Sequence, residues 1–292
     1  MTETERQNKN TVNMDLLPAR GIVELINKED AAAWRAVTAA EKEIAAAAEK
    51  TAKIFASGGN IIFIGAGTSG RLGVLEAAEC YPTFSLEPGR VAGIMAGGKD
   101  AVFKSKEGAE DDVNAGKKDI LKAAKKGDVV FGLSASGGAP YVLAALKAAK
   151  KIKAFTVLVC CNNDGVKKDA ANLIVYLPTG PEVLQGSTRM KAGTATKMTL
   201  NIITTAAMAL CGKIYKNLMV DVKAGNNKLR ARAERLAQTI AGVDAKTAEK
   251  FLKQTDYGVK TAVVMIKKNA DKKTARNLLK KQNGFLRKVL NE

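Results

Sequence analysis

The run Gly65-Ala66-Gly67-Thr68-Ser69-Gly70-Arg71 carries the first chemistry legible in this chain. Glycines at this spacing let a backbone approach an anion closely. A helix starting here aims its free N–H groups and positive dipole end at the same point. Thr68 and Ser69 add two hydroxyl donors. A dinucleotide site would want an acidic residue at the end of the next strand, and that position reads Ala96-Gly97-Gly98-Lys99 with Asp100 displaced. A phosphomonoester suits this loop better than a pyrophosphate. A second hydroxyl-rich turn spans Ser134-Ala135-Ser136-Gly137-Gly138-Ala139, and a third is Ser187-Thr188 with Arg189 and Lys191 close by. One serine alone is more often a helix cap. Three such turns around one parallel sheet, in a fold class that binds ligands outside the carboxyl ends of its strands, make a candidate anion site of Gly67, Thr68, Ser69, Ser134, Ser136, Ser187, Thr188 and Lys191.

Proton transfer beside such a site has restricted sources. Histidine is absent from all 292 residues, which excludes Ser-His-Asp and Cys-His nucleophile systems and histidine-held zinc. Glu, Asp, Lys, Tyr or Cys must do the work. Glu76 and Glu79, three apart on a helix, share a face, and Glu107, Glu110, Asp111 and Asp112 form a second acidic group. A lone exposed glutamate is ordinarily a solvated charge; the missing histidine raises the weight of these. The cysteines Cys80, Cys160, Cys161 and Cys211 form no Cys-x-x-Cys pair, so they read as buried free thiols in a reducing compartment.

The elements that must position these groups follow a regular alternation. Short apolar runs at 60–64, 91–95, 129–133, 155–159 and 173–177 predict five strands. Helices are expected over 31–57, 71–80, 101–111, 113–125, 140–149 and 188–211. Apolar strands separated by helices indicate a parallel sheet covered on both faces. Beyond residue 229 the apolar spacing suggests only short helices. The expected organisation is an N-terminal arm and helix (1–57), a ligand-binding α/β domain (58–228) and a small helical domain (229–292).

The net charge of +18 raises the question of nucleic acid, but eleven of those charges fall after residue 220, scattered along helical patterns without aromatic interleaving. A solvated helical face that attracts anionic ligands explains this better than a nucleic-acid site. No apolar run approaches the roughly 20 residues of a membrane span, and the polar N-terminus lacks the apolar core of a signal peptide. A cytoplasmic protein is expected.

Several longer segments resemble one family. They are Gly65 to Leu75, Ala78-Glu79-Cys80, Glu107-Gly108-Ala109-Glu110-Asp111, Gly186 to Thr194 and Asn217 to Val222. They are similar to the N-acetylmuramic acid 6-phosphate etherases of the sugar isomerase (SIS) superfamily, relatives of the glucokinase regulatory protein. The resemblance implies an SIS-type three-layer α/β sandwich with a five-stranded parallel sheet and a small C-terminal helical domain. It also implies a homodimer with active sites near the interface, acting on a small-molecule sugar phosphate without cofactor or metal. The implied reaction cleaves the D-lactyl ether of N-acetylmuramic acid 6-phosphate during peptidoglycan recycling. Its catalytic glutamates would be Glu79 and Glu110. The chain departs from the family pattern at Gly138-Ala139, where Arg-Thr is usual, and at Glu76, Tyr81 and Gly225. The alternatives are a non-catalytic sugar-phosphate sensor, a sugar-phosphate isomerase and a nucleic-acid binder; retention of both glutamates favours the lyase over the sensor.

Overall fold

The computed structural model describes residues 3–222 and 224–291 and divides into two compact units, one holding residues up to Ala78 with Gly89–Thr204, the other Glu79–Pro88 with the chain from Thr205 onward. In the first unit the N-terminal arm makes two short 3-10 turns, Glu3–Glu5 and Met14–Leu16, before α1 (Ala19–Ala39) and α2 (Glu41–Ala56). A single helix was expected here. The chain leaves helical geometry at Ala40 (φ −101°, ψ 12°), and Glu41 and Glu43 favour a new helix start with their charge.

The alternation then unfolds as β1 (Ile61–Gly65), α3 (Gly67–Phe84), β2 (Val91–Met95), α4 (Val113–Ala123), β3 (Val129–Leu133), α5 (Pro140–Lys151), β4 (Phe155–Cys160), β5 (Leu173–Tyr176) and α6 (Lys191–Leu210). All five strands pair in parallel, in the order β2-β1-β3-β4-β5. Three helix expectations need correction. α3 begins at Gly67 rather than Arg71, so the glycine loop is already the first helical turn. The helix expected over 101–111 is two 3-10 turns, Lys99–Val102 and Ala109–Asp111, because Gly97, Gly98 and Gly108 take positive φ. α6 begins at Lys191, three residues later than expected.

The sheet is buried on both faces. Ile62, Ile64, Val130 and Leu158 pack against Val142, Ala145 and Leu146 of α5, each large apolar side chain contributing about 1.5–3 kcal/mol by leaving water. On the opposite face Phe63 and Phe131 meet with ring centroids 5.2 Å apart, and α3 lies close against them. A Cβ added at Gly73 would come 2.9 Å from the Phe63 Cβ, and one at Gly93 would come 2.5 Å from the Val74 Cα. Glycine at these two positions permits the approach, and helices on both faces complete three layers.

The second unit contains α7 (Asn227–Ala241), α8 (Ala245–Gln254), α9 (Val259–Lys268), α10 (Lys272–Lys281) and α11 (Leu286–Leu290). Asn226, Asp244 and Asp271 each accept a hydrogen bond from a first-turn N–H, starting α7, α8 and α10. Their apolar stripes bury Leu236, Ile240, Leu252, Val263 and Leu286 in one cluster. Lys260, whose ammonium pKa burial lowers, bonds the Gly212 and Gly284 carbonyls and pairs with Asp221. Among the described residues no helix is long and apolar enough to cross a membrane.

Candidate functional site

The strand order reverses direction at β1, with β2 on one side and β3 on the other. In such sheets the crevice outside the carboxyl ends of those strands binds ligands. Gly65 and Leu133 are register partners, so the Gly65–Gly70 turn and the Ser134–Ala139 turn leave the sheet side by side. Gly65 must be glycine here, since an added Cβ would lie 2.7 Å from the Gly70 nitrogen. Gly67 opens α3 at φ +54°.

Two cavities near these turns share Glu110 in their walls. The larger, about 680 Å³, is lined by Glu110, Ser136, Gly137 and Gly138 and extends to Lys147 and Lys167. The smaller, about 150 Å³, is lined by Gly67, Arg71, Ala96 and again Glu110. Glu110 is exposed, on the short turn that follows left-handed Gly108. Arg71 anchors the start of that segment, its guanidinium donating to the Val102 and Ala101 carbonyls at 2.8 Å each. Arg71 was read only as the end of the glycine run; its anchoring role had no sequence signal.

The second turn is held by its own serines. Ser134 and Ser136 hydroxyls lie 3.3 Å apart, and they accept hydrogen bonds from the Ala139 and Gly138 N–H groups respectively. Ser134 is buried and Ser136 exposed. Thr68 lines a third cavity of about 280 Å³ with Arg189, Gly193 and Lys197. Its methyl group would lie 3.5 Å from a Cβ built on Gly193, so the first turn lies close to the start of α6. Ser69, Ser187 and Thr188 are half-buried and line none of these three cavities.

Lys191, expected among the ligand-binding residues, lies in a buried ion pair. It is 2% exposed, and its ammonium pairs with Glu29 at 2.9 Å. Glu29 also accepts from Asn8 and Asn10. Burial pushes the Glu29 pKa up, but these hydrogen bonds outweigh it and hold the carboxyl at about 2. The Lys191 and Ala192 N–H groups donate to Glu182, which caps α6; burial nevertheless raises the Glu182 pKa.

Glu76 and Glu79, expected on one helix face, have different surroundings. Glu76 is buried and accepts from Asn201 and Thr204 at 2.6 Å each. Glu79 is exposed, belongs to the second unit and lines none of the three cavities. Cys160 and Cys161 are buried, and burial pushes both thiols up to about 12. Among the described residues no group of three or more Cys, Asp or Glu is placed to hold a metal ion.

The family model of the glucokinase regulatory protein N-terminal SIS domain matches residues 43–150, and that of the SIS domain matches residues 111–206. The N-acetylmuramic acid 6-phosphate etherase of Vibrio campbellii is 47% identical over 289 residues, covering 98% of this chain and 94% of the relative. That of Lactobacillus gasseri is 45% identical over 291 residues, covering 99% and 98%. A solved phosphoheptose isomerase from Francisella tularensis overlays with a TM-score of 0.46 at 14% identity, covering 64% of this chain and 97% of the other.

Proposed function

The chain belongs to the N-acetylmuramic acid 6-phosphate etherase family, and we propose that it is a carbon–oxygen lyase acting on N-acetylmuramic acid 6-phosphate. The products are N-acetylglucosamine 6-phosphate and D-lactate, a step of peptidoglycan recycling. One observation carries the assignment within the site: Glu110 lines both the cavity of the Ser136 turn and the cavity of the Gly67 turn.

In the ring-opened sugar the lactyl ether at C3 lies beta to the aldehyde. Removing the C2 proton breaks the C3–O bond, and the departing oxygen takes a proton to leave as lactate. Water then adds to the unsaturated aldehyde, its oxygen at C3 and a proton at C2. The two stages sum to hydrolysis and need only proton transfers, a task within reach of two carboxyl groups. Glu110 acts as base at C2, and Glu79 acts as acid at the leaving oxygen. The phosphate lies at the start of α3, against Gly67, Thr68 and Ser69, with Ser134 and Ser136 opposite. Ser187 and Thr188 take sugar hydroxyls. Lys191, paired with Glu29, supports its turn rather than touching the ligand.

A cytoplasmic homodimer that engages no nucleic acid completes the reading. Exposed Leu75 on α3 and Ile202 on α6 offer apolar surface to a second copy. The test is D-lactate release from N-acetylmuramic acid 6-phosphate by the wild type, Glu79→Gln and Glu110→Gln. Release by the wild type that disappears in both variants supports the mechanism. Release that survives both removes it.

A further inference from the structure

Asn162, just past the end of β4, is fully buried, and its side-chain amide uses every hydrogen-bonding group it has. Its Nδ2 donates to the Ser136 carbonyl at 3.1 Å and the Asp164 carbonyl at 3.0 Å. Its Oδ1 accepts the backbone N–H of Glu3 at 3.0 Å. A flipped amide would set oxygen against two carbonyls and N–H against N–H, so only this orientation satisfies the site. The Asn162 backbone also meets the same turn: a Cβ built on Gly137, at φ +72°, would come 3.1 Å from the Asn162 carbonyl oxygen.

The Glu3 N–H belongs to an arm that is itself tied down along its length. The Glu3 carboxylate accepts from the Tyr176 hydroxyl at 2.8 Å. The Glu5 carbonyl accepts from Gln185 at 2.9 Å, and Thr11 donates to the Val183 carbonyl at 2.8 Å. The arm thus crosses the carboxyl ends of β4 and β5. It reaches the Ser136 turn through Asn162 and the segment just before Ser187 directly.

We propose that Asn162 is a positioning residue for the Ser134–Ala139 turn, and that the arm holds Asn162 in place through the Glu3 N–H. Neither group touches the ligand. Their effect is on how sharply the Ser136 hydroxyl, in a turn closed by the Gly137 N–H to the Ser134 carbonyl, is aimed at it. The proposal rests on the sugar-phosphate reading for its consequence but not for its geometry.

The test compares Asn162→Ala, Glu3→Pro and Glu3→Ala. Proline removes the donor to Asn162 and suits the first residue of the 3-10 turn; alanine removes only the carboxylate. Three measurements are made: amide hydrogen exchange of the 134–139 segment, affinity for N-acetylglucosamine 6-phosphate by calorimetry, and KM and kcat for D-lactate release. With Asn162→Ala and Glu3→Pro, exchange in that segment rises and affinity falls about tenfold, the equivalent of one hydrogen bond at 1.4 kcal/mol. KM rises in step while kcat moves less. Glu3→Ala retains most of the protection. A lowered melting temperature with unchanged exchange and KM would show Asn162 to be merely structural and overturn the proposal. So would Glu3→Pro matching Glu3→Ala in every measurement. If Asn162→Ala fails to fold, Glu3→Pro, which deletes no core atom, decides alone. If the wild type binds the sugar phosphate but releases no lactate, the reaction assignment fails and the exchange and affinity comparisons still decide this one.

Discussion

Replacing Glu29 by glutamine tests the buried pair at the start of α6. Both partners are largely out of water, the Lys191 side chain 3% exposed and the Glu29 side chain 12%. The Glu29 carboxyl ordinarily ionises near 4.5 and is held at about 2 in the fold. At about 1.4 kcal/mol per tenfold change in ionisation constant, that difference contributes roughly 3 kcal/mol at neutral pH. Because the folded pKa is depressed, the contribution is full above pH 4.5 and is lost as pH falls toward 2. Glu29→Gln should therefore lower the melting temperature at pH 7 by about 5 °C, at roughly 2.1 cal/mol/K of unfolding entropy per residue. Urea unfolding of both proteins between pH 7 and pH 3 gives the second reading. The gap between them should narrow below pH 4.5 and be more than half closed by pH 3. A gap below 1 kcal/mol at pH 7, or one that stays constant with pH, would refute the account of this pair.

Other outcomes follow from single contacts. Glu110→Gln should reduce turnover of N-acetylmuramic acid 6-phosphate by roughly a hundredfold to ten-thousandfold with little change in melting temperature, the size of a lost general base; a loss under tenfold would move the base elsewhere. Gly93→Ala forces a methyl group against the Val74 Cα, 2.5 Å away. It should destabilise the fold by about 1–3 kcal/mol in urea titration; a neutral result would mean that α3 can shift off β2 freely. Cys160 and Cys161, with thiols pushed to about 12, should resist a maleimide at pH 8 in native protein and react once unfolded, as mass spectrometry can count.

The strands were legible because their residues leave little choice. Ile61-Ile62-Phe63-Ile64 and Val129-Val130-Phe131 are runs of branched and aromatic side chains between glycine or charged boundaries, and a strand buried on both faces needs that composition. The first two hydroxyl turns were legible for the same reason, since each begins where a strand ends. The tie between Lys191 and Glu29 was not, because the partners are 162 positions apart and no local spacing encodes such a pair. The arm escaped for a related reason: its bonds, from backbone and side chains alike, run to residues far along the chain. Helical spacing placed Glu76 and Glu79 on one face, but burial is set by α6, where Thr204 and Asn201 claim Glu76.

Glu182 has a bearing on where an anion can settle. Two turns that look interchangeable in sequence, before α3 and before α6, are electrically unlike, because α6 already carries a fixed carboxylate on its first N–H groups. A phosphate dianion approaching that end would find the Lys191 and Ala192 N–H groups already taken. Under the proposed reaction, this asymmetry would direct the phosphate end of the sugar toward Gly67 and leave the Ser187 side to neutral oxygens.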